Sequence, residues 1–247
     1  MLVFLDFDGV ICNSVLECYV ASWKTYYGDV VGRLPNVCAL TEREQFYRYR
    51  PLMRTGEDYV LLQQLIHEGV ALHSQSDFDR QLERVGAETM RSYRELIYRV
   101  RARMLVDDRA GWLRLNRVYP HVAAVLDRPA SDDRFFILST KKAQYISEIL
   151  QDRGIEWPTQ RIITAEGRTK VSIIGEVLQR HRQTEAVFVE DQPDHFPGGS
   201  DSLGFKLSCY LAEWGYVQDE WLEPGRFVTI DSDGFAGLID GLLDSSR

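Results

Sequence analysis

A chain of 247 residues has room for one large α/β domain, or for a core of about 150 residues beside a smaller one, and either can bury a sizeable apolar interior. At 45% hydrophobic and 27% charged residues, the composition excludes the disordered and fibrous classes. The formal net charge of -8 argues against a nucleic-acid partner, which would select a cationic surface, but a small phosphorylated ligand stays open because a local site can offset the global repulsion.

The chain opens on Leu2-Val3-Phe4-Leu5, a short apolar run closed by Asp6 and Asp8, the pattern of a buried parallel strand that ends in a polar loop. That run is too short for a signal peptide or a membrane span and has no basic segment before it, so a cytoplasmic protein without a membrane partner is expected. From residue 14 to about 106, apolar residues recur at helical spacing, as in 59–66 and 93–104, and no strand is expected: a helical insertion. The many arginines there, among them Arg91, Arg94, Arg99, Arg101 and Arg103, are read as a solvated helix face.

After Asp107-Asp108 strand and helix alternate. Helices are expected at 122–126, 143–150, 170–182 and 235–243, and strands at 135–138, 161–164, 186–189, 205–211 and 227–230. Such alternation implies βαβ units and a mostly parallel sheet. Turns fall at Pro197-Gly198-Gly199 and Glu223-Pro224-Gly225. The four cysteines, Cys12, Cys18, Cys38 and Cys209, have neither C-x-x-C spacing nor nearby His ligands, so no zinc site or disulfide framework is expected.

Parallel sheets present ligands at the carboxyl ends of their strands. Three runs end in polar residues: Asp6-Phe7-Asp8, Ser139-Thr140-Lys141 and Glu190-Asp191. Four carboxylates converging there repel one another unless a cation sits among them, and oxygen-only ligands favour Mg²⁺, which commonly shares carboxylates with a substrate phosphate. Asp6 is then placed to attack phosphorus. Asp8, two residues on along an extended segment, points to the same side and suits a general acid and base. Gly9 leaves room where the backbone turns close to phosphate. Ser139, for which Thr140 is an alternative, and Lys170, for which Lys141 is a rival, are candidate donors to the phosphoryl oxygens. Lys170 opens a helix, where the macrodipole disfavours a cation, so its position calls for a phosphate or an acidic neighbour.

Together, Asp6-Phe7-Asp8-Gly9-Val10, Ser139-Thr140-Lys141, Lys170 and Glu190-Asp191 resemble, in order and in spacing, the four motifs of the haloacid dehalogenase-like superfamily of phosphatases. Tyr119-Pro120-His121-Val122 and Trp214-Gly215-Tyr216 look like phosphoglycolate phosphatase and β-phosphoglucomutase relatives. The resemblance implies a doubly wound, Rossmann-like α/β core of residues 1–13 and 107–247 with an all-helical cap of residues 14–106. It implies Mg²⁺-dependent hydrolysis of a small phosphorylated metabolite through an aspartyl-phosphate. Asp6 is then the nucleophile and Asp8 the acid and base. Ser139, Thr140, Lys170 and Gly9 hold phosphate. Asp6, Asp8 through its backbone carbonyl, and Asp191 ligate the metal, with Glu190 beside it. In the cap, Arg50, Arg54 and Thr55-Gly56-Glu57 stand where relatives keep a substrate-reading loop, which makes Arg54 a candidate for a substrate anion.

Departures narrow the subgroup. Val171 replaces the Pro that phosphoglycolate phosphatase relatives carry after the lysine, and Pro193 with Pro197-Gly198-Gly199 interrupts the helix expected after the fourth motif. Cys18 stands where mutases keep a hinge histidine, Asp8 counts against dehalogenase chemistry, and Lys24 is the only lysine of the insertion available to a phosphonatase. Asp194 and His195 differ by one residue in spacing from a second acidic ligand of relatives and stay outside the expected site. The alternatives are a phosphosugar mutase of the same fold, a non-catalytic phosphate-ligand-binding protein, and a receiver-type signalling module, which would lack the insertion.

Overall fold

A computed structural model of the chain describes residues 1–35, 39–198 and 203–244; Cys38 and Gly199 lie outside the described residues. Two compact units form, one from Met1–Asn13 with Arg117–Arg247 and the other from Ser14–Asn116. The second boundary follows Asn116 instead of residue 106. The Asp108 carboxylate accepts the Gly111 N–H at 2.7 Å and starts a further helix, Arg109–Arg114, whose Trp112 and Leu113 are buried with the insertion.

The first unit contains β1 (Leu2–Leu5), β2 (Cys12–Asn13), β3 (Arg117–Val118), β4 (Phe135–Ser139), β5 (Ile162–Thr164), β6 (Glu185–Glu190), β7 (Lys206–Ala212) and β8 (Thr229–Ile230). Six of them form one sheet in the order β5-β4-β1-β6-β7-β8, every neighbouring pair parallel. β1 and β4 are buried along their whole length, which is why they read as continuous apolar runs instead of alternating ones. Phe4 lies in register with Phe136 and Phe188, and its ring stacks on Phe136 with centroids 5.3 Å apart. Ile173, Ile174, Val177 and Leu178, from the helix Lys170–Arg180, pack on these rings. The apolar face they share with Leu2 and Leu138 anchors that helix to the sheet.

The chain winds outward from β1 through β4 to β5, then returns to the other side of β1 as β6. The reversal leaves a switch point at the carboxyl ends of β1 and β6, with Leu5 opposite both Ile137 and Val189. Between β6 and β7 the described residues contain only a 3₁₀ turn, Pro193–His195, consistent with the helix-breaking prolines of that stretch.

Two features escaped the sequence pattern. β2 and β3 pair as a two-stranded antiparallel ribbon, each strand too short to show alternation. Arg161, which ends the 3₁₀ turn just before β5, is buried, and its guanidinium donates to the backbone carbonyls of Pro129, Ala130, Asp132 (2.6 Å) and Phe135 (3.0 Å). It therefore adds donors to the carbonyls at the end of the short helix Asp127–Ala130 and of the turn that leads into β4, where Pro129 and Asp132 also accept a backbone N–H. The strand expected at 227–230 shortens to Thr229–Ile230, while that expected at 205–211 keeps its length as Lys206–Ala212.

The described residues of the second unit are helical: Val15–Trp23 running into a π-helical turn Lys24–Val30, then Leu40–Tyr49, Gly56–His67, Gln75–Asp107 and Arg109–Arg114, with a 3₁₀ turn at Arg50–Leu52. Gln75–Asp107 bends at Gly86, whose φ of 78° only glycine adopts cheaply. The expectation of a solvated arginine face is corrected at Arg101. It shares a face with Ile97 and Met104, and its guanidinium donates to both oxygens of fully buried Glu17 at 2.9 Å each. Trp112 Nε1 adds a third donor to Glu17 at 3.3 Å. Among the described residues no helix is long and apolar enough to cross a membrane.

Candidate active site

Asp6 leaves the end of β1 with its N–H still in the sheet, donating to the Val189 carbonyl at 2.9 Å. The chain then turns back: Ile11 and Cys12 donate to the Phe7 carbonyl, Gly9 donates to Cys12, and Gly9 takes φ 97°. Glycine is required at this turn for space as well as conformation, because a Cβ there would lie 1.9 Å from Asp191 Oδ2.

Lys170 is the first residue of Lys170–Arg180, capped by Thr169, whose hydroxyl accepts the Ser172 N–H at 3.3 Å. Its buried ammonium donates to Asp6 Oδ1 and to Glu190 Oε2, both at 2.6 Å. The acidic neighbours that a cation at a helix N-terminus calls for are therefore Asp6 and Glu190. The second oxygen of Glu190 accepts the N–H groups of Asp191 (2.9 Å) and Gln192 (3.1 Å), which fixes the carboxylate at the tip of β6. Asp191 Oδ2 accepts the Tyr216 N–H at 2.8 Å.

Asp8, Lys141 and Ser139 are the next layer. Lys141 Nζ lies 3.2 Å from Asp8 Oδ1, and Ser139 Oγ, buried at the end of β4, accepts the Lys141 N–H at 3.3 Å. Thr140, between them, is partly exposed. Lys141 and Lys170 each pair with a different aspartate of the Asp6-Phe7-Asp8 segment.

Burial and the nearby Glu190 carboxylate push Asp6 up to about 6, against the pull of Lys170. For Lys170, burial opposes the charge, but Asp6 and Glu190 together hold it above its ordinary range. Asp6, Glu190 and Asp191 each offer an oxygen within 4.8 Å of the others. Four carboxylates here face two ammonium groups, so the ionised site carries two excess negative charges. An all-oxygen set with that excess fits a hard divalent cation and gives no soft ligand for zinc or copper.

Of the residues expected from sequence, Asp6, Glu190, Asp191 and Lys170 meet in one cluster, with Gly9 against Asp191 and Lys141 joining through Asp8. Arg54 belongs to the helical unit, where its guanidinium forks onto Asp79 at 2.6 and 3.2 Å and its N–H donates to Asp58. Asp194 and His195 lie on the 3₁₀ turn after β6 and outside the carboxylate cluster. The sequence presents the loop after β7 only as a likeness. It meets the site through Trp214, Gly215 and Tyr216, and the signal in the sequence was its place beyond the carboxyl end of a parallel strand.

No protein-family model matches the chain, and no curated protein sequence matches it. Solved structures do match along its whole length. A predicted phosphoglycolate phosphatase from Haemophilus somnus superposes with a TM-score of 0.61 at 12% identity, covering 98% of this chain and 97% of that one. A haloacid dehalogenase-like family hydrolase from Streptococcus pneumoniae gives 0.55 at 15% identity, with 97% of each chain covered. A haloacid dehalogenase-like protein of unknown function from Agrobacterium tumefaciens gives 0.51 at 16% identity, covering 100% of this chain and 99% of that one. The six-stranded parallel sheet and its inserted helical segment therefore have the fold of the haloacid dehalogenase-like hydrolases.

Proposed function

We propose that this chain is a cytoplasmic Mg²⁺-dependent phosphatase that hydrolyses a small-molecule phosphomonoester through an aspartyl-phosphate on Asp6. The observation that carries this reading is the Lys170 ammonium bridging Asp6 and Glu190 at 2.6 Å, with Asp191 closing the acidic cluster. A carboxylate held by a buried cation at the tip of a parallel strand is oriented and kept from wandering, which is what a nucleophile at phosphorus needs.

In the first step a carboxylate oxygen of Asp6 bonds to phosphorus while the ester P–O bond breaks, its electron pair leaving with the alcohol oxygen. Asp8 gives that oxygen its proton. In the second step Asp8, now a carboxylate, takes a proton from the water that attacks the phosphorus, and the bond to Asp6 breaks to return its carboxylate. Such acid and base work is worth about 10²- to 10⁴-fold. Lys141 steadies Asp8 between the two steps. Ser139, Thr140, Lys170 and the backbone around Gly9 hold the phosphoryl oxygens where negative charge accumulates. Asp6, Asp191 and the Asp8 backbone carbonyl would hold Mg²⁺, with Glu190 beside them. The ion supplies neutralisation of the carboxylates and of the phosphate. We assign the helical unit the role of cap. Within it Arg54 is the candidate for a substrate anion, and it would have to exchange its Asp79 partner to act.

Phosphate release from a panel of phosphomonoesters tests this reading. Release is expected only with Mg²⁺, lost on chelation and restored by adding the ion back. A folded, Mg²⁺-supplied protein that releases phosphate from no ester contradicts it, and phosphoryl transfer to a second sugar hydroxyl instead of water points to the mutase alternative.

A further inference from the structure

We propose that the loop Trp214-Gly215-Tyr216 is a positioning clamp that fixes the Asp191 carboxylate against the Asp6-Phe7-Asp8-Gly9 turn. The inference rests on the phosphatase reading for its purpose, while its geometry is independent of it. Asp191 lies between two glycines. A Cβ on Gly9 would come within 1.9 Å of its Oδ2, and a Cβ on Gly215 would come within 2.3 Å of its Cβ and 2.9 Å of the Gly9 carbonyl oxygen. Gly215 is not in the left-handed region, so its lack of a side chain serves space alone.

The residues on either side fasten the loop. The Tyr216 N–H donates to Asp191 Oδ2 at 2.8 Å, and the Tyr216 hydroxyl donates to Asn13 Oδ1 at 3.3 Å. Trp214 Nε1 donates to the Val10 carbonyl at 3.0 Å, and the indole is held edge-on by His121 and Phe235, with ring centroids 4.7 and 5.3 Å away. The clamp thus grips the segment after β1 at Val10 and Asn13 and the tip of β6 at Asp191, the two strand ends that flank the switch point. A carboxylate fixed in one rotamer by such outer partners presents its oxygens to a cation without rearranging, and outer partners of this kind commonly change metal affinity 10- to 100-fold. Packing alone would account for the indole, but not for an N–H aimed at Asp191 and a glycine kept only for room.

The test uses Gly215→Ala, with Trp214→Phe as a milder second variant that keeps an aromatic ring but loses the bond to Val10. Mg²⁺ binding is read by calorimetry and by the Mg²⁺-dependent rise in Tm, beside kinetics. Gly215→Ala is expected to bind Mg²⁺ about 10-fold or more weakly, with the KM for the ester at saturating Mg²⁺ much less affected, and Trp214→Phe to fall between it and the wild type. Crystal structures of both variants without metal read the clamp apart from catalysis. Asp191 is expected to shift and to lose the Tyr216 N–H in Gly215→Ala. If Asp191 keeps that contact and Mg²⁺ binding is unchanged in both variants, the clamp is wrong. A wild type that binds no Mg²⁺ overturns the phosphatase reading instead, and the Asp191 position in the variant structures still decides the clamp.

Discussion

Asp6→Asn is expected to lower phosphate release by about 10³-fold or more while the protein stays folded. The amide keeps the shape of the carboxylate and can still accept a hydrogen bond from Lys170, which also retains Glu190 at 2.6 Å. What disappears is the proposed nucleophile. The substitution also removes a carboxyl that burial and Glu190 push up to about 6, so the folded state loses a repulsion along with an ion pair and the net change in thermal stability is small. Initial rates with and without the substitution, set beside circular dichroism and thermal unfolding of both proteins, check the expectation. Activity within a few-fold of wild type from a folded variant would remove Asp6 from the nucleophile's role.

Lys170→Met has the largest expected effect on stability. It leaves Asp6 and Glu190 buried without their shared cation, and removing one partner of a buried ionic group costs about 3–5 kcal/mol. The deficit has a direction in pH. Asp6 already stands above its ordinary 3.8 with Lys170 present, and Lys170 lowers it, so the variant's Asp6 titrates higher still. A carboxyl whose folded pKa exceeds its unfolded one binds more protons when folded. Stability of the variant is therefore expected to be greatest near pH 4 and to fall as pH rises through about 6 and beyond, more steeply than in wild type. Urea unfolding at pH 5 and pH 8 in the presence of a chelator measures this. Equal deficits at the two pH values would mean that Lys170 supports the fold by packing and not by its charge. Phosphate release is expected to be lost as well, since the same ammonium positions Asp6 and, on the proposed mechanism, would meet the phosphoryl oxygens.

Much of this site was legible in the linear sequence because burial on both faces makes β1 and β4 continuous apolar runs, and the residues that interrupt them are the ones the sheet delivers to its carboxyl edge. Asp6, Asp8, Ser139, Glu190 and Asp191 stand out for that reason. Lys170 stood out because a cation opening a helix needs an acidic partner, although which partner was not visible. Which aspartate each of Lys141 and Lys170 pairs with depends on distances across the sheet that spacing does not carry. The contact of Trp214-Gly215-Tyr216 with the site is hidden for the same cause, Trp214 lying more than 200 residues from Val10, to which it bonds.

Arg101 looked like its charged neighbours because a helical period shows which residues share a face but not what faces them, and Glu17 lies 84 positions away. The boundary of the insertion moved to Asn116 because a cap at Asp108, which reads as an acidic loop, starts another helix. That the described residues between β6 and β7 hold only a single 3₁₀ turn is foreshadowed by Pro193, which starts that turn and has no N–H to give.

The most direct measurement of the central claim is a covalent trap with Asp8→Asn and radiolabelled p-nitrophenyl phosphate in Mg²⁺. Nitrophenolate leaves without protonation, so attack by Asp6 proceeds, while the second step loses the base that activates water. A burst of one nitrophenolate per chain is expected, followed by slow turnover, with acid-quenched protein carrying a hydroxylamine-labile phosphate on the peptide that contains Asp6. Nitrophenolate release by the variant with no phosphate on the protein, or with phosphate on a different residue, would contradict the aspartyl-phosphate account.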